Sequence, residues 1–367
     1  MLKIVLGFGC LTTLSVLACS SLPLKSAHLN EPRVSIMTYN VENLFDTTHD
    51  EGKDDYTFLP LKLKKTHPEY LAACNKNQSP FRQKECLETD WSDEILETKL
   101  TRLAESIGQI NNGQGPDIQI LEEVENLHVL NMLADHLPAA AYTTRVLIEG
   151  PDFRGIDPAV LSRLPQWGTA EYHLIPFDPR EEDEERAEHT RGILEVKLIL
   201  PGGQRIAVFA VHLPAQENPP YLRKQAIRYL NELQSQVAAD VIPIVGGDFN
   251  ISADEDNRLG YYQNILRKKW LITHEIGCKN CEGTEYYRGS WSFFDALLFP
   301  PSMQEGLVGR ASWRIDTASI RIPNDRLIQV SRSLTPAHFD ETSPTGVSDH
   351  YPMYAEIYQP ILSGKAP

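Results

Sequence analysis

Hydrophobic and polar positions along the chain follow two periods, which predicts a protein that mixes strands and helices. Residues 33–40, with Val34, Ile36 and Met37, predict a strand, and residues 118–124 predict a buried strand that ends in acids. Between them, leucine and isoleucine recur every three or four residues, which predicts an amphipathic helix. Its apolar stripe consists of Leu96, Leu100, Leu103, Ile107 and Ile110. The Asn-Asn-Gly segment at 111–113 is a typical helix end.

The order of strand, helix and strand recurs in the second half of the chain. Residues 192–200 and 205–213 predict a hairpin around the turn at 201–203. A helix with apolar positions from Leu222 to Val237 follows, and then a strand at 241–245. Further elements are predicted at 127–137 (helix), 155–163, 293–299 and 351–358 (strands). This mixture favours an α/β fold with layered sheets over a purely parallel sheet.

Three segments differ from this regular pattern. Residues 46–92 are polar and show no sustained period, so we expect a long insertion stapled by cysteines. Pro158 lies within the strand predicted at 155–163, which implies an edge strand or a bulge. The acidic run at 181–188 is expected to be a solvated loop. No strong linker divides residues 33–360, so we expect one catalytic domain followed by a tail at 361–367.

The N-terminus has the features of an export signal. Lys3 precedes about fifteen mostly apolar residues, which is too short for a membrane span of about twenty residues. The segment 16–19 (Val-Leu-Ala-Cys) resembles a bacterial lipobox. We therefore expect a signal peptide at 1–18, a lipidated Cys19 and a tether at 19–32. The alternative is ordinary signal cleavage nearby without a lipid.

This pattern predicts an exported bacterial lipoprotein. Ser20 and Ser21 follow the cysteine, and no Asp does, which in lipoproteins implies sorting to the outer membrane. The expected location is the outer membrane, the periplasm or the cell surface. The lipid would be the membrane partner, and we expect a monomer.

The cysteines of the exported chain form an even set. Of the six, Cys10 leaves with the signal and Cys19 would carry the lipid. Four remain in an oxidising compartment, namely Cys74, Cys86, Cys278 and Cys281. Three pairings are possible, and we favour the two that close local loops, Cys74–Cys86 and Cys278–Cys281. A four-cysteine zinc site and a redox role for the CxxC pair are the alternatives.

The net charge of −15 limits the kind of partner. An acidic protein does not attract polyphosphate through its overall field, so tight nonspecific binding of nucleic acid is not expected. A local basic patch or a bound cation can still hold one phosphate. The charge thus argues against a processive DNA binder but not against phosphoester chemistry.

Polar residues stand at the ends of several apolar strands. These residues are Asn40, Asn43, Glu123, His212, Asp248, Asn250, Asp295, Asp349 and His350. Each alone is weak evidence, since an Asn can cap a turn and a single His is more often part of a core or surface. Together they supply oxygen ligands, a base, imidazoles and amide donors, which metal-assisted phosphoester cleavage requires.

In this order, the motifs resemble the endonuclease/exonuclease/phosphatase superfamily over about residues 33–360. Members include pancreatic-type DNases, abasic-site endonucleases, neutral sphingomyelinases and inositol polyphosphate phosphatases. The resemblance implies a four-layer α/β/β/α sandwich of the DNase I type, with the site at one mouth. The segment 283–291 resembles the corresponding segment of a poorly characterised bacterial branch of this superfamily. Asn43 is an additional amide, and Glu122 stands where many relatives have Gln.

Glu123 is the expected metal ligand, because a carboxylate at a strand end suits Mg²⁺ or Mn²⁺. Ca²⁺ is a further candidate. The alternatives are that Glu122 or Glu125 faces the metal, or that all three acids are surface groups. Asn40 and Asp349 would complete the ligand shell, as the resemblance implies.

The remaining motif residues would act on the water and the phosphate. Asp248 is the expected general base, and Asn250 would position the water or donate to the phosphate. His350 would contact the scissile phosphate while Asp295 holds its other nitrogen. His212 would donate to phosphate oxygens or protonate the leaving group.

Three residues are weaker candidates for phosphate binding. Arg191 precedes a strand, and a pairing with the acidic run explains it equally well. Asn43 is a candidate because it is an additional amide within the first motif, residues 39–43. Asp157 would orient His212, or instead form a salt bridge with Arg154.

The expected function is therefore a divalent-metal-dependent phosphoester hydrolase that cleaves phosphodiesters by water attack, as a nuclease or phosphodiesterase. The alternative enzyme is a phospholipid or inositol-phosphate hydrolase, such as a sphingomyelinase or a phosphatase. A degenerate, non-catalytic binding protein is a third reading, which the complete set of motif residues disfavours.

Overall fold

The structure is a computed structural model that describes residues 31–77, 79–306, 313–325 and 327–361. The expected signal peptide, Cys19, most of the tether and the tail after residue 361 lie outside the described residues. Within the described part, no helix has the length and apolar character that crossing a membrane requires.

The described chain alternates strands and helices. The strands are β1 (Arg33–Leu44), β2 (Ile118–Val124), β3 (Thr144–Leu147), β4 (Asp157–Ser162), β5 (Glu171–His173), β6 (Ile193–Ile199), β7 (Arg205–His212), β8 (Val241–Asp248), β9 (Leu271–Ile272), β10 (Glu285–Tyr287), β11 (Ser290–Ser292), β12 (Asp295–Phe299), β13 (Arg314–Arg321) and β14 (Met353–Tyr358). The helices are α1 (Leu61–Thr66), α2 (Pro68–Lys76), α3 (Pro80–Glu88), α4 (Asp93–Gly108), α5 (Leu127–Asp135), α6 (Glu184–Glu188), α7 (Pro220–Gln236), α8 (Ala253–Leu259) and α9 (Thr273–Ile276).

Two six-stranded sheets form the centre of the molecule. The first has the order β13-β14-β1-β2-β4-β3, and the second has the order β5-β6-β7-β8-β12-β9. In each sheet one pair of neighbours is parallel, β1 with β2 and β7 with β8. In each case a long amphipathic helix, α4 or α7, connects the two parallel strands. The predicted α/β class and the repeated strand–helix–strand unit are confirmed.

Three apolar clusters show that the sandwich has four layers. One lies between the first sheet and helices α4 and α5, and includes Tyr39, Leu103 and Leu130. A second fills the space between the sheets. The third lies between the second sheet and α7, where Phe209 and Leu230 pack. The layer order α/β/β/α follows, because each sheet buries one face on the other sheet and one face on helices.

The insertion at 46–92 contains more structure than its sequence pattern indicates. Helices α1, α2 and α3 lie in it, and the Cys74–Cys86 disulfide joins α2 to α3. Cys278 and Cys281 form the second disulfide, so both of the expected local pairings are present. Buried Lys64 donates to the carbonyl oxygens of Thr57 and Cys86, which ties the insertion together.

One local expectation is confirmed in one of its two forms, and another needs correction. The strand containing Pro158 is not at an edge, since β4 lies between β2 and β3; the register with β2 shifts between Leu121 and Val124, so the bulge alternative holds. The acidic run is not a loop but a short turn of 3₁₀ helix followed by α6. Asp183 in this run is buried and accepts a hydrogen bond from the Tyr221 hydroxyl at 2.9 Å.

Candidate active site

Strand pairing brings the polar strand ends together. Asn40 on β1 is paired with Glu122 on β2, and His212 on β7 is paired with Asp248 on β8. Asp248 is also the partner of Asp295 on β12. Because parallel neighbours end at the same edge of a sheet, these side chains share one mouth of the sandwich. The two sheets meet there, and the Asn40 Nδ2 donates to Asp248 Oδ2 at 3.2 Å.

Asp248 is buried and oriented by three donors. The Asn250 N–H donates to Oδ1 at 2.7 Å, and the Nδ2 groups of Asn250 and Asn40 both donate to Oδ2 at 3.2 Å. Asn250 has a positive φ of 51°, which places both of its donors toward the same carboxylate. Burial raises the pKa of Asp248 to about 7, and the nearby His350 acts against that rise. A carboxylate with such a pKa is suited to accept a proton near neutral pH.

His350 and Asp295 form a buried pair. The two groups are joined by a hydrogen bond of 2.7 Å between Nδ1 and Oδ2. Burial alone would lower the pKa of His350, but the carboxylates of Asp295, Asp349 and Asp248 raise it well above its ordinary value. His350 is therefore an imidazolium at neutral pH, with a second N–H available for a substrate.

His212 lies next to the acids but has the opposite protonation state. Its Nε2 is 3.6 Å from Asp248 Oδ2 and 3.9 Å from Glu123 Oε1. Burial, followed by the charges of Arg191 and Arg154, lowers the pKa of His212 well below its ordinary value. The imidazole is therefore neutral, and its Nδ1 has no hydrogen-bond partner among the described residues.

The structure separates the three acids at the end of β2. Glu123 adopts a positive φ of 67°, its side chain is 16% exposed, and it accepts a hydrogen bond from the Asn43 N–H at 3.0 Å. Glu122 instead is fully buried beneath the site and accepts from Thr38 Oγ1. Glu125 is buried elsewhere and accepts from the Asp46 N–H. Of the three acids, Glu123 is the one that lies beside His212.

A group of possible metal ligands lies at the same mouth. Single ligand atoms of Glu42, His338 and Asp349 lie within 4.8 Å of one another. His338 Nδ1 is 2.5 Å from Glu42 Oε1, and this contact raises the pKa of His338 to about 8. Two carboxylates and an imidazole fit a divalent ion such as Mg²⁺ or Mn²⁺. Sequence reasoning found Asp349 but missed Glu42 and His338.

Those omissions have different causes. Glu42 lies two residues after Asn40, so the first motif already contained the signal. His338 lies in a long loop between β13 and β14, and a single histidine in a loop carries no signal of its own. Glu285 was also missed: it pairs with His350 across a β-bridge, and burial raises its pKa to about 7.

The structure does not place the three weaker candidates as free phosphate ligands. Arg191 is buried, its Nη1 is 2.5 Å from Asp152, and its Nε donates to the His212 carbonyl oxygen. Its acidic partner is therefore not in the run at 181–188. Asp157 is also buried, and it accepts from the Gly150 N–H and the Tyr172 hydroxyl rather than pairing with His212 or Arg154. Asn43 contributes its backbone N–H, which orients Glu123.

Two stacked sheets with buried acids and imidazoles at one mouth fit a hydrolase of phosphoesters. The family model described as Endonuclease/Exonuclease/phosphatase family matches residues 35–359, and the chain belongs to that family. No curated protein matches the chain in a sequence comparison.

Solved structures show the same fold at low sequence identity. An endonuclease/exonuclease/phosphatase from Beutenbergia cavernae is 16% identical, with a TM-score of 0.54 over 89% of this chain and 72% of that one. A family protein from Bacteroides thetaiotaomicron is 12% identical, with a TM-score of 0.52 over 90% and 99% of the two chains. A humanized D. rerio TDP2 is 14% identical, with a TM-score of 0.52 over 89% and 98%. At such identities the likeness shows the fold alone.

Proposed function

We propose that this phosphoester hydrolase is a divalent-metal-dependent phosphodiesterase that cleaves its substrate by attack of water. One observation carries the proposal: Asp248 and the His350–Asp295 pair are buried side by side at the strand ends where Glu123 and His212 also lie. The same mouth thus holds the Asp248 carboxylate, which accepts a proton, and the His350 imidazolium, which binds phosphate.

Asp248 accepts the proton of the attacking water. Its two oxygens are held by the amide donors of Asn250 and Asn40, so the carboxylate keeps one orientation while the substrate binds. A base held in this way removes the proton as the water oxygen bonds to phosphorus, while the ester P–O bond breaks and the leaving group departs as an alkoxide. Asn250 Nδ2 also donates to the Leu213 carbonyl oxygen, which anchors the amide.

His350 binds the phosphoryl group. Asp295 accepts a hydrogen bond from the Nδ1–H group, and the imidazolium donates its remaining N–H to a phosphoryl oxygen. Negative charge gathers on these oxygens in the transition state, where loss of one placed donor often costs about 3 kcal/mol. His212 is neutral, so we assign it the role of hydrogen-bond donor through Nε2 rather than that of the acid for the leaving group.

Glu123, Asn40 and Asp349 are the proposed metal ligands, and Glu42 and His338 join them. The ion would supply positive charge next to the phosphoryl oxygens. Asn43 supports Glu123 through its N–H, and buried Lys99 supports the end of β1 by donating to the Glu42 carbonyl oxygen at 3.0 Å. Mg²⁺ and Mn²⁺ are preferred over softer ions because carboxylates predominate, and Ca²⁺ is a further candidate.

The test is release of 4-nitrophenol from bis(4-nitrophenyl) phosphate. We expect hydrolysis with Mg²⁺ or Mn²⁺ and none with excess EDTA. Glu123→Gln should lower the rate by at least about a hundredfold, whereas Asp254→Asn, an exposed acid on α8, should not change it. Absence of metal-dependent release by the wild-type chain would reject the proposal and favour a non-catalytic binding protein.

A phospholipid or inositol-phosphate hydrolase is the second candidate. It is favoured by the net charge of −15, which disfavours duplex DNA, and by the lipid anchor expected at Cys19. A panel of plasmid DNA, single-stranded oligonucleotide, sphingomyelin vesicles and inositol phosphates separates the two enzymes. We expect the oligonucleotide to be the better substrate.

We further propose that the chain is a lipoprotein held at a bacterial outer membrane by acylated Cys19, with its catalytic domain in the aqueous phase as a monomer. The apolar segment at 4–18 and the lipobox-like residues 16–19 support this proposal.

A further inference from the structure

A cleft of about 430 Å³ lies next to the chain segment that follows His212. Its lining carries the rings of Phe153 and His189, four arginines that include Arg154 and Arg191, and the three acids Asp152, Glu185 and Glu217. Pro214 and Ala215, which follow the His212 strand end, form another part of the lining. A volume of this size falls within the range of small-ligand sites, which is about 300–1,000 Å³.

The cleft and the catalytic residues share walls. Arg191 lines the cleft and donates to the carbonyl oxygens of His212 and Leu213. The charge of Arg154 reaches His212 as well, since it contributes to the lowered pKa of that imidazole. A substrate whose phosphate lies between His212 and His350 therefore has the cleft within reach of its adjoining group.

The disulfide-stapled insertion builds the outer wall of the cleft. Arg82 on α3 pairs with Glu217 at 3.2 Å across the opening. Lys53 Nζ donates to the carbonyl oxygens of Gly150 and Asp152, and the Asp54 N–H donates to that of Phe153. The insertion thus holds the loop that carries Phe153 and Arg154 in place.

On this loop, the side chains of Phe153 and Arg154 remain available to contact a ligand in the cleft. Phe153 is 46% exposed. Its one ring contact among the described residues is edge-on to His189, with the ring centroids 6.2 Å apart. Arg154 lies 3.8 Å from Asp152, but that carboxylate already holds Arg191 at 2.5 Å. Among the described residues, the Arg154 guanidinium has no closer acidic partner.

We propose that this cleft binds the nucleoside next to the scissile phosphate, with the base stacked on Phe153 and the phosphate approached by Arg154. The proposal rests on the proposed phosphodiesterase function and names its substrate class as a nucleotide or a single-stranded end. An exposed aromatic ring beside a guanidinium suits a flat base joined to a phosphate. An inositol ring has no π-face, so it cannot stack on Phe153 as a base does.

Binding of adenosine 5′-monophosphate and of ribose 5-phosphate tests this inference directly. The two ligands differ only in the base, and isothermal titration measures both on chains that carry Asp248→Ala, so that turnover does not consume the ligand. We expect the adenosine ligand to bind about tenfold more tightly, in the lower part of the range measured for a base stacked on an aromatic side chain. Phe153→Ala should remove that preference.

Two matched variants complete the design. Phe81→Ala removes an exposed ring on α3 outside the cleft, 75% exposed against 46% for Phe153, and should leave the preference unchanged. Arg154→Gln should weaken both ligands by a similar factor, because both carry the phosphate. Equal affinities of the two ligands, or a preference that survives Phe153→Ala, would overturn the inference. Since the readout is binding, a wild-type chain that hydrolyses nothing would reject the proposed function without deciding this test.

Discussion

Asp248 and His350 lie in the same buried site, and each changes the protonation of the other. The imidazolium counters the rise in the pKa of Asp248, while the carboxylates of Asp295, Asp349 and Asp248 raise the pKa of His350. At a pH between the pKa of Asp248 and the pKa of His350, the site holds the Asp248 carboxylate and the His350 imidazolium together. That combination is the active form, because the base must be unprotonated and the phosphate donor protonated.

The pH dependence of kcat/KM follows from these two groups. Asp248 has a pKa of about 7, so activity should rise as the pH increases through that value and the carboxylate forms. Activity should fall again at high pH, because His350 loses its proton there; its pKa is raised. Rates of diester hydrolysis from pH 5 to 9.5 measure the profile. Asp295→Asn should move the upper limb to lower pH, and a flat wild-type profile between pH 6 and 8 would contradict the assignment.

Glu122 provides a second prediction at this scale. It is fully buried, Thr38 donates to one of its oxygens, and the other has no partner among the described residues. Burial and the charge of Asp295 raise its pKa well above the ordinary value, so the folded protein holds the neutral acid. Its favourable contribution to stability is complete below the ordinary carboxyl pKa and is lost as the pH rises through the raised one.

Glu122→Gln keeps the shape of the side chain without the titratable proton. We expect the variant to hydrolyse diesters at a rate close to that of the wild type, and to melt at a higher temperature than the wild type at pH 9 but not at pH 5. Thermal unfolding at both pH values measures this difference. A loss of activity comparable to that of Glu123→Gln would show that Glu122 takes part in the chemistry.

At the scale of elements, the insertion connects the disulfide to the cleft. Helices α2 and α3 are short, and the Cys74–Cys86 bond closes a separation of 12 residues between them. Isolated helices of this length are marginal in water, so they depend on such a link and on packing. Arg82 and Lys53 then transmit the position of the insertion to the cleft wall.

Replacement of both Cys74 and Cys86 by serine should destabilise the insertion by about 3 kcal/mol, the amount expected for a loop of similar length. Denaturant unfolding of the oxidised protein measures the effect. Replacing Cys278 and Cys281, which are only three residues apart, is the control and should cost less because the closed loop is shorter. Equal losses from the two replacements would contradict this account.

The predictable elements are those with long apolar periods. Helix α4 holds four apolar positions of one stripe, and β2 is a mostly apolar strand that ends in acids, so both were found close to their observed bounds. Helices α1 to α3 are six to nine residues long, which is too short for a helical period to stand out. The same holds for the site residues. Asp248 is predictable because it follows an apolar strand, whereas His338 lies on a loop and has no such pattern before it.

The charge of the whole molecule sets limits on its substrate. At −15, the surface repels polyanions, and only local features such as the cleft arginines attract a phosphate. Small nucleotides or single-stranded ends fit this balance better than duplex DNA does. An anchored enzyme with this preference would act on soluble fragments that diffuse to a membrane surface.

The proposed anchor is tested by Cys19→Ser. Wild-type protein made in a bacterial host should be recovered in the membrane fraction, with mass spectrometry showing acyl chains on the N-terminal cysteine. The variant should move to the soluble fraction with unchanged specific activity on a soluble diester. Wild-type protein found soluble, with an unmodified N-terminus near residue 19, would support ordinary signal cleavage instead.

The central claim is that Asp248 acts as the base in metal-dependent phosphodiester hydrolysis. Its most direct test compares kcat for bis(4-nitrophenyl) phosphate between the wild type and Asp248→Ala, with circular dichroism melting to verify the fold. We predict a loss of about a hundredfold to ten-thousandfold in the variant, the usual contribution of a placed base, with an intact melting transition. A folded Asp248→Ala chain that turns over at nearly the wild-type rate would contradict the account.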